Sequence, residues 1–336
     1  MWPTGSFLSG VSSFFTKWTT YNGGSHLIQS GGGRNGGDSW HASTGGGTQY
    51  IVKNLDQQAH WIVGFAIKSS SWSSAFRFFG WADSTPQFQT EIGCDGGGHL
   101  RLTRNNTTIA TGTTVLSASV WYFIELDLTI NSSTGAYTLR INGTNELTAT
   151  GANTQSSGNA WADRFYLGDF SPGAGETLDI CDLYVFDATG SANNALRGDS
   201  RVDAIFPSGA GNYTQWTPSA GSNYAAVDEK AANDDTDYVE SSTVSQKDSY
   251  AFGDLSSSTG TVAGVQLCMY AKKTDAGTRS IKGLARLSST DVLDSTDKTL
   301  STSYAYYLDT RETKPGGGSW AISDVNSAEF GVQVTA

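Results

Sequence analysis

The stretch VWYFIELDLTI at residues 120–130 decides the architecture of this chain. Tyr122, Ile124, Leu126, Leu128 and Ile130 recur at every second position, so in an extended backbone they share one face. Trp121, Phe123, Glu125, Asp127 and Thr129 share the other. A helix would scatter both sets around its circumference, whereas a strand keeps them apart. The stretch is therefore a strand with one apolar face and one face that mixes aromatics with acids.

The segments around it repeat the signal. GAYTLRINGTNELTAT (135–150) alternates with Tyr137, Leu139 and Ile141 inward, and Asn142-Gly143 supplies a hairpin turn. HWIVGFAIK (60–68) is apolar throughout between polar ends, as a strand covered on both faces would be. FRFFGWA (76–82), FQTEIGCD (88–95), RFYLGDF (164–170) and LDICDLYVFD (178–187) are further strands, and HLRLTRNNTTIATG (99–112) is a hairpin turning at Asn105-Asn106. No apolar stripe of helical period interrupts them. Short strands without the spacing of β-α-β units predict an all-β, antiparallel sandwich. Composition agrees, with 40 glycines and 39 aromatics in 336 residues to furnish tight turns and strand faces.

A second β pattern starts at SYAFGDL (249–255) and continues through TVAGVQLCMYAKKT (261–274), TRSIKGLARL (278–287), STSYAYYLDTRE (301–312) and AEFGVQVTA (328–336). The expected plan is an N-terminal arm or leading strand over 1–25, a large sandwich over 26–206, a connecting segment over 207–240 and a smaller β-sandwich over 241–336. The arm carries Trp2, Phe7, Phe14, Phe15, Trp18 and Tyr21, more apolar area than a free tail should expose. It is expected to dock on the protein's own sheet or on a neighbouring copy.

Charge excludes some functions. The formal net charge is −11, with 10 basic and 15 acidic side chains in residues 1–200 and 11 and 17 in the remainder. No basic cluster stands out beyond Lys272-Lys273, so no nucleic-acid surface is expected. The first residues lack a basic region and an apolar core, and no apolar run reaches the roughly 20 residues of a membrane span. Neither export nor membrane insertion is expected. Cys94, Cys181 and Cys268 are widely spaced and form no CxxC pair, which leaves buried small hydrophobes as their role. His26, His41, His60 and His99 show no metal-ligand spacing.

The acids are the remaining source of chemistry. Glu125 and Asp127 lie two apart on one strand face, the spacing that a sandwich hydrolase uses to set two carboxyls about 5–10 Å apart. They are the best candidate pair for polysaccharide hydrolysis. In TLDICDLYVFD (177–187), period 2 places Asp179 and Asp182 on opposite faces, so those two do not form such a pair. Asp187, followed by ATG, reads as an Asx turn that ends its strand. A calcium site would draw on Asp182 or Asp187 with loop carbonyls, since calcium takes about 6–8 oxygens. Trp72, Trp81, Trp121 and Trp161 are candidates to stack against sugar rings, with core packing the expected role for most of them.

HWIVGFAIK, QTEIGCDGGGHLRLTRNNTTIATG, VWYFIELDLTINSSTGAYTLRING and LDICDLYVFDATGSANNALRGDSRVDAIFP, in that order, resemble the concanavalin A-like (laminin-G-like) sandwich of tailed-bacteriophage structural proteins. The resemblance implies a component of the virion, attached to capsid or tail as a decoration, spike or adhesion part. It would be made in the host cytoplasm and would bind other virion proteins, copies of itself and host surface glycan. Sandwich glucanases carry E-x-D-x-x-E or E-x-D-x-E on their acidic strand. Here ELD at 125–127 keeps the first two acids, and Thr129 stands where a third would be. Hence no catalytic residue and no cofactor are expected. A lectin-like glycan receptor, or a hydrolase built on Glu125 and Asp127, are the rival readings.

Overall fold

The structure, a computed structural model, describes residues 18–22, 26–43, 47–85, 87–171, 175–190 and 192–336. The chain divides into two compact units that meet at Val202 and Asp203.

The strands of the first unit are β1 (Thr20–Asn22), β2 (His26–Gln29), β3 (Ser39–Ser43), β4 (Gln49–Gln58), β5 (His60–Ser69), β6 (Ala75–Ala82) and β7 (Phe88–Asp95). They continue with β8 (His99–Arg104), β9 (Thr107–Val115), β10 (Tyr122–Thr129), β11 (Gly135–Ile141), β12 (Thr144–Ala152), β13 (Ala162–Asp169) and β14 (Thr177–Phe186). They form two seven-stranded antiparallel sheets, ordered β1-β4-β13-β6-β7-β8-β9 and β12-β11-β10-β5-β14-β3-β2. This is the jelly-roll sandwich of the concanavalin A-like type.

Its core is aromatic. Trp61 of the second sheet stacks on Trp81 of the first, with ring centroids 4.7 Å apart, and Phe65 stacks on Phe79 at 5.6 Å. Each such side chain, once fully buried, contributes roughly 1.5–3 kcal/mol. Strand β10 lies within the second sheet between β5 and β11, with Ile124 opposite Phe65 on β5 and Ile141 on β11. Its two faces divide as the alternation requires. Asn105 and Asn106, at φ 44° and 68°, turn β8 into β9, and Asn142 with Gly143, at φ 50° and 79°, turns β11 into β12. Positive φ at both central residues matches the twist of the flanking strands.

Two elements depart from the sequence pattern. QYIVKNLDQQ has no clean apolar alternation, yet it forms β4, which is held between β1 and β13. β14 changes register between Cys181 and Tyr184, where Asp182 adopts φ 54°. At the sheet margins, the Glu146 carboxylate on β12 accepts the backbone N–H groups of Thr113 and Thr114 and the Thr114 hydroxyl on β9. One side chain thereby ties the last strands of the two sheets together.

Residues 1–17 and 23–25 of the expected arm lie outside the described residues. Of the rest, β1 adds to the first sheet along β4, and Trp18 is buried with its ring edge-on to Phe165 at 6.0 Å.

The second unit is a smaller β-sandwich. Its strands are β15 (Pro207–Thr214), β16 (Thr217–Pro218), β17 (Val239–Glu240), β18 (Lys247–Phe252), β19 (Val265–Ala271), β20 (Ser280–Leu287), β21 (Thr290–Leu293), β22 (Lys298–Thr299), β23 (Ala305–Arg311) and β24 (Glu329–Val334). One layer is the sheet β15-β18-β24-β20-β21, with β22 also paired to β20, and another is the ribbon β19-β23. Phe330, Ala285 and Trp320 form its core with Val325 of the short helix α1 (Ile322–Ser327), and Val265 and Leu267 of the ribbon pack against them. Residues 207–240, expected as a connecting segment, instead supply β15 to that sheet and the pair β16-β17. Turn-rich composition hides β15, because PSGAGNYT offers a sheet edge little besides backbone hydrogen bonds. Among the described residues no helix is long and apolar enough to cross a membrane.

Candidate functional site

Glu125 and Asp127 do share the outer face of the second sheet, but only one of them meets water. Glu125 is fully buried, and its Oε1 accepts the Tyr184 hydroxyl at 2.6 Å and the Gly198 N–H at 2.8 Å. Gly64 of β5 lies opposite Glu125, and a Cβ there would come within 2.3 Å of the Tyr184 ring. The glycine lets that ring cross β5 to reach the carboxylate. Asp127 is half-exposed and bonds His60 Nε2 at 2.7 Å, and this bond raises the pKa of His60. The pair is thus split, with one acid sealed beneath the chain near Gly198 and the other in an ordinary ion pair. A polysaccharide cannot lie between them in this arrangement.

The expectation that Asp179 and Asp182 point to opposite faces fails because of the β14 bulge. Asp179 bonds His41 Nδ1 at 2.7 Å and Lys68 Nζ at 2.9 Å on the outer face. The bulge turns Asp182 to the same side, where its Oδ2 accepts Arg34 Nε at 2.6 Å and its Oδ1 accepts the Val202 N–H at 3.0 Å. Arg34 lies over the Phe123 ring at 4.7 Å and also bonds Asp199 and the Ser200 carbonyl. Asp182 is a structural anchor that pins residues 199–202 over the sheet. Asp187 accepts the Thr189 N–H at 3.1 Å, the Asx turn that the sequence suggests. Among the described residues no three His, Cys, Asp or Glu side chains gather as a metal-binding group. Cys94 and Cys181 are buried, and burial pushes the Cys181 thiol up to about 12, so it is not a nucleophile at neutral pH.

Of the four tryptophans, Trp72 and Trp81 are core residues and Trp121 and Trp161 are partly exposed. Trp121 faces the Lys68 ammonium at 5.0 Å.

A different aromatic group lies on the outer face of the first sheet. Phe165 and Leu167 of β13 are fully buried, so Tyr166 between them turns outward, opposite Val52 on β4 and Gly80 on β6. Tyr50 of β4 joins it at 5.4 Å, Phe88 of β7 at 4.8 Å and Phe170 at 6.2 Å. Phe88 and Phe170 stack nearly parallel at 5.0 Å, above Gly80, where a Cβ would come within 2.7 Å of the Phe88 ring. Tyr50, Phe88 and Tyr166 are partly exposed. Burial, followed by the neighbouring Tyr50, raises the pKa of the Tyr166 hydroxyl.

Polar groups border these rings. Arg77 lies 5.4 Å from the Phe170 centroid and donates to Glu91 at 2.7 Å and to Asn106 Oδ1 at 2.5 Å. Glu91, fully buried, also accepts the Thr103 hydroxyl at 2.9 Å. The result is a cluster of rings packed mostly edge to face, with a fixed guanidinium at its margin. Sequence patterning does not reveal it, because Tyr50 lies on the unheralded β4 and because Phe88 and Phe170 look like ordinary strand residues.

No family model and no curated protein matches the chain. Among solved structures it is similar to the alginate lyase Aly36B, at 11% identity and a TM-score of 0.41 over 55% of this chain and 93% of that one. The alginate lyase from Corynebacterium sp. is similar at 13% identity and a TM-score of 0.35, over 48% of this chain and 80% of that one. A sialidase is similar at 9% identity and a TM-score of 0.39, over 52% of this chain but only 18% of the sialidase. The expectation of a phage structural component is corrected by these findings: the similar structures are alginate lyases and a sialidase, and nothing among them points to a virion protein.

Proposed function

We propose that this chain binds polysaccharide on the outer face of the first sheet of its larger sandwich. The observation that carries this reading is the cluster of Tyr50, Phe88, Tyr166 and Phe170, held together by ring contacts and partly open to solvent. Rigid rings offer large apolar area at low entropy cost, and tyrosine adds a polar tip. A pyranose ring has an apolar face of C–H bonds and a rim of hydroxyls, so it matches such a surface. Arg77, already fixed by Glu91 and Asn106, is placed to bond ring oxygens or a carboxylate at the margin.

Glycan-array binding followed by affinity electrophoresis tests the reading. Phe88→Ala and Tyr166→Ala are each expected to weaken binding about tenfold or more, the equivalent of roughly 1.4 kcal/mol. Neither should unfold the protein, since both rings are partly exposed. Absence of binding across neutral, uronic-acid and sialylated glycans would remove the reading. So would binding that survives both substitutions.

A further inference from the structure

A strap of chain, residues 197–202, closes the outer face of the second sheet. Beneath it lie Phe123 and Glu125 of β10 and Tyr184 and Phe186 of β14, all four buried. Phe123 and Glu125 alternate with the inward-facing Ile124 and Leu126, so they point away from the core and the strap is what covers them.

The strap puts no side chain of its own into a core. Arg197, Asp199 and Arg201 are exposed, and Gly198, Ser200 and Val202 are only partly buried. Polar bonds hold it instead. The Gly198 N–H donates to Glu125 Oε1 at 2.8 Å, the Arg197 N–H to the Tyr184 hydroxyl at 3.3 Å and the Val202 N–H to Asp182 Oδ1 at 3.0 Å. Arg34 bonds the Asp199 carboxylate and the Ser200 carbonyl while its Nε stays on Asp182 at 2.6 Å. A segment held this way opens at lower cost than the strands beneath it.

The groups that receive the strap describe a ligand. Tyr184 and Phe186 stack at 4.8 Å, and Arg34 lies over the Phe123 ring at 4.7 Å. Arg34 takes a carboxylate, and Glu125 takes a hydrogen-bond donor on Oε1. Glu125 Oε2 is buried and unbonded, so the strap satisfies only one of the two oxygens. A sugar that carries a carboxylate offers the same groups and one more. Its carboxylate would replace that of Asp199 on Arg34, and two adjacent hydroxyls would donate to both oxygens of Glu125. Its C–H face would lie on the Phe186 ring, where the Arg197 guanidinium now sits 5.7 Å from the centroid.

We infer that the outer face of the second sheet is a second ligand groove, for a carboxylate-bearing sugar chain, and that residues 197–202 close it by standing in for that sugar. The strap is then an internal competitor, and the sugar binds by selecting the open form. The groove uses none of the four rings of the first-sheet surface, so the two sites stand or fall separately.

The test uses the full chain with Phe88→Ala and Tyr166→Ala, so that any binding is read apart from the first sheet, and adds Asp199→Ala. The Asp199 side chain is 53% exposed, so its loss loosens the strap without entering a core. Amide hydrogen exchange at Gly198 and Val202 should become about tenfold faster or more. Affinity electrophoresis should show an oligouronate binding about tenfold more tightly than to the same chain with Asp199 intact. A neutral oligosaccharide of equal length should gain nothing, and adding Arg34→Gln should abolish the oligouronate's gain. Exchange that stays slow would overturn the strap, and fast exchange without oligouronate binding would overturn the groove. A gain that survives Arg34→Gln, or one shared by the neutral sugar, would overturn the assigned ligand. Binding of a synthetic peptide of residues 196–202 in place of the oligouronate would make this a peptide groove and overturn it too.

Discussion

Asp83, just beyond β6, is fully buried, and its carboxylate collects six donors. The Thr85 N–H, the Thr85 hydroxyl and the Gln87 N–H reach Oδ1 at 3.0, 2.5 and 3.2 Å. Gln89 Nε2, the Ser157 hydroxyl and Asn159 Nδ2 reach Oδ2 at 3.3, 2.5 and 2.9 Å. Burial alone would raise its pKa, but the bonds from Ser157, Thr85, Asn159 and Gln87 outweigh burial and leave it at about 2. A depressed carboxylate stabilises the fold fully above its ordinary value of 3.8, and the contribution fades as pH falls towards 2. Asp83→Asn should therefore cost about 2 kcal/mol in urea unfolding at neutral pH. Its deficit against the wild type should narrow steadily from about pH 4 down to about pH 2. A deficit constant over that range would mean that the charge contributes nothing and that shape alone matters.

At the scale of elements, the bulge in β14 and the glycine in β5 act together. The bulge sets Tyr184 opposite Gly64, and the missing side chain at Gly64 leaves room for the Tyr184 ring to reach Glu125. Gly64→Ala forces a methyl to within 2.3 Å of that ring, so Tyr184 must leave and Glu125 loses a bond. A loss of about 2–4 kcal/mol is expected, combining overpacking with a buried carboxylate left short of a donor. Fluorescence-detected unfolding would show it, and a loss under about 1 kcal/mol would mean that the ring relocates freely. This pairing also explains what the sequence could and could not show. Strict alternation in VWYFIELDLTI and the Asn-Gly turn gave β10, β11 and β12 directly, because those strands follow period 2 without interruption. The same rule misplaced Asp182, since a bulge adds a residue that no local pattern announces. Glu125 and Asp127 were legible as a same-face pair. What seals Glu125 is Gly198, 73 residues away in sequence, and only the folded chain brings it there. The aromatic surface was hidden for a related reason: its four rings come from three strands and one strand end, and no single segment holds more than two of them.

For the whole molecule, the all-β sandwich class was legible because many segments voted for it independently, whereas the role in a phage particle rested on likeness of phrasing and did not survive comparison with solved structures. One feature of the larger unit bears on its behaviour in concentrated solution. A sandwich has open flanks, and a strand at such a flank presents N–H groups that another chain can pair with. Glu146 occupies two of those donors on β9 with its own carboxylate. Burial would raise its pKa, but the bonds from Thr114 and Thr113 bring it below the ordinary value of 4.5, so the carboxylate stays charged through mildly acidic conditions. Glu146→Ala would uncap the flank and remove a charge beside it. Light scattering at neutral pH should then show slow growth of aggregates with a β-type infrared signature, while the wild type does so only after acidification well below the ordinary carboxylate value of 4.5. A variant that stays monodisperse would place the protection elsewhere along the flank. In this sense a side chain that takes no part in ligand binding acts as a gatekeeper, keeping copies of the chain from polymerising through their backbones.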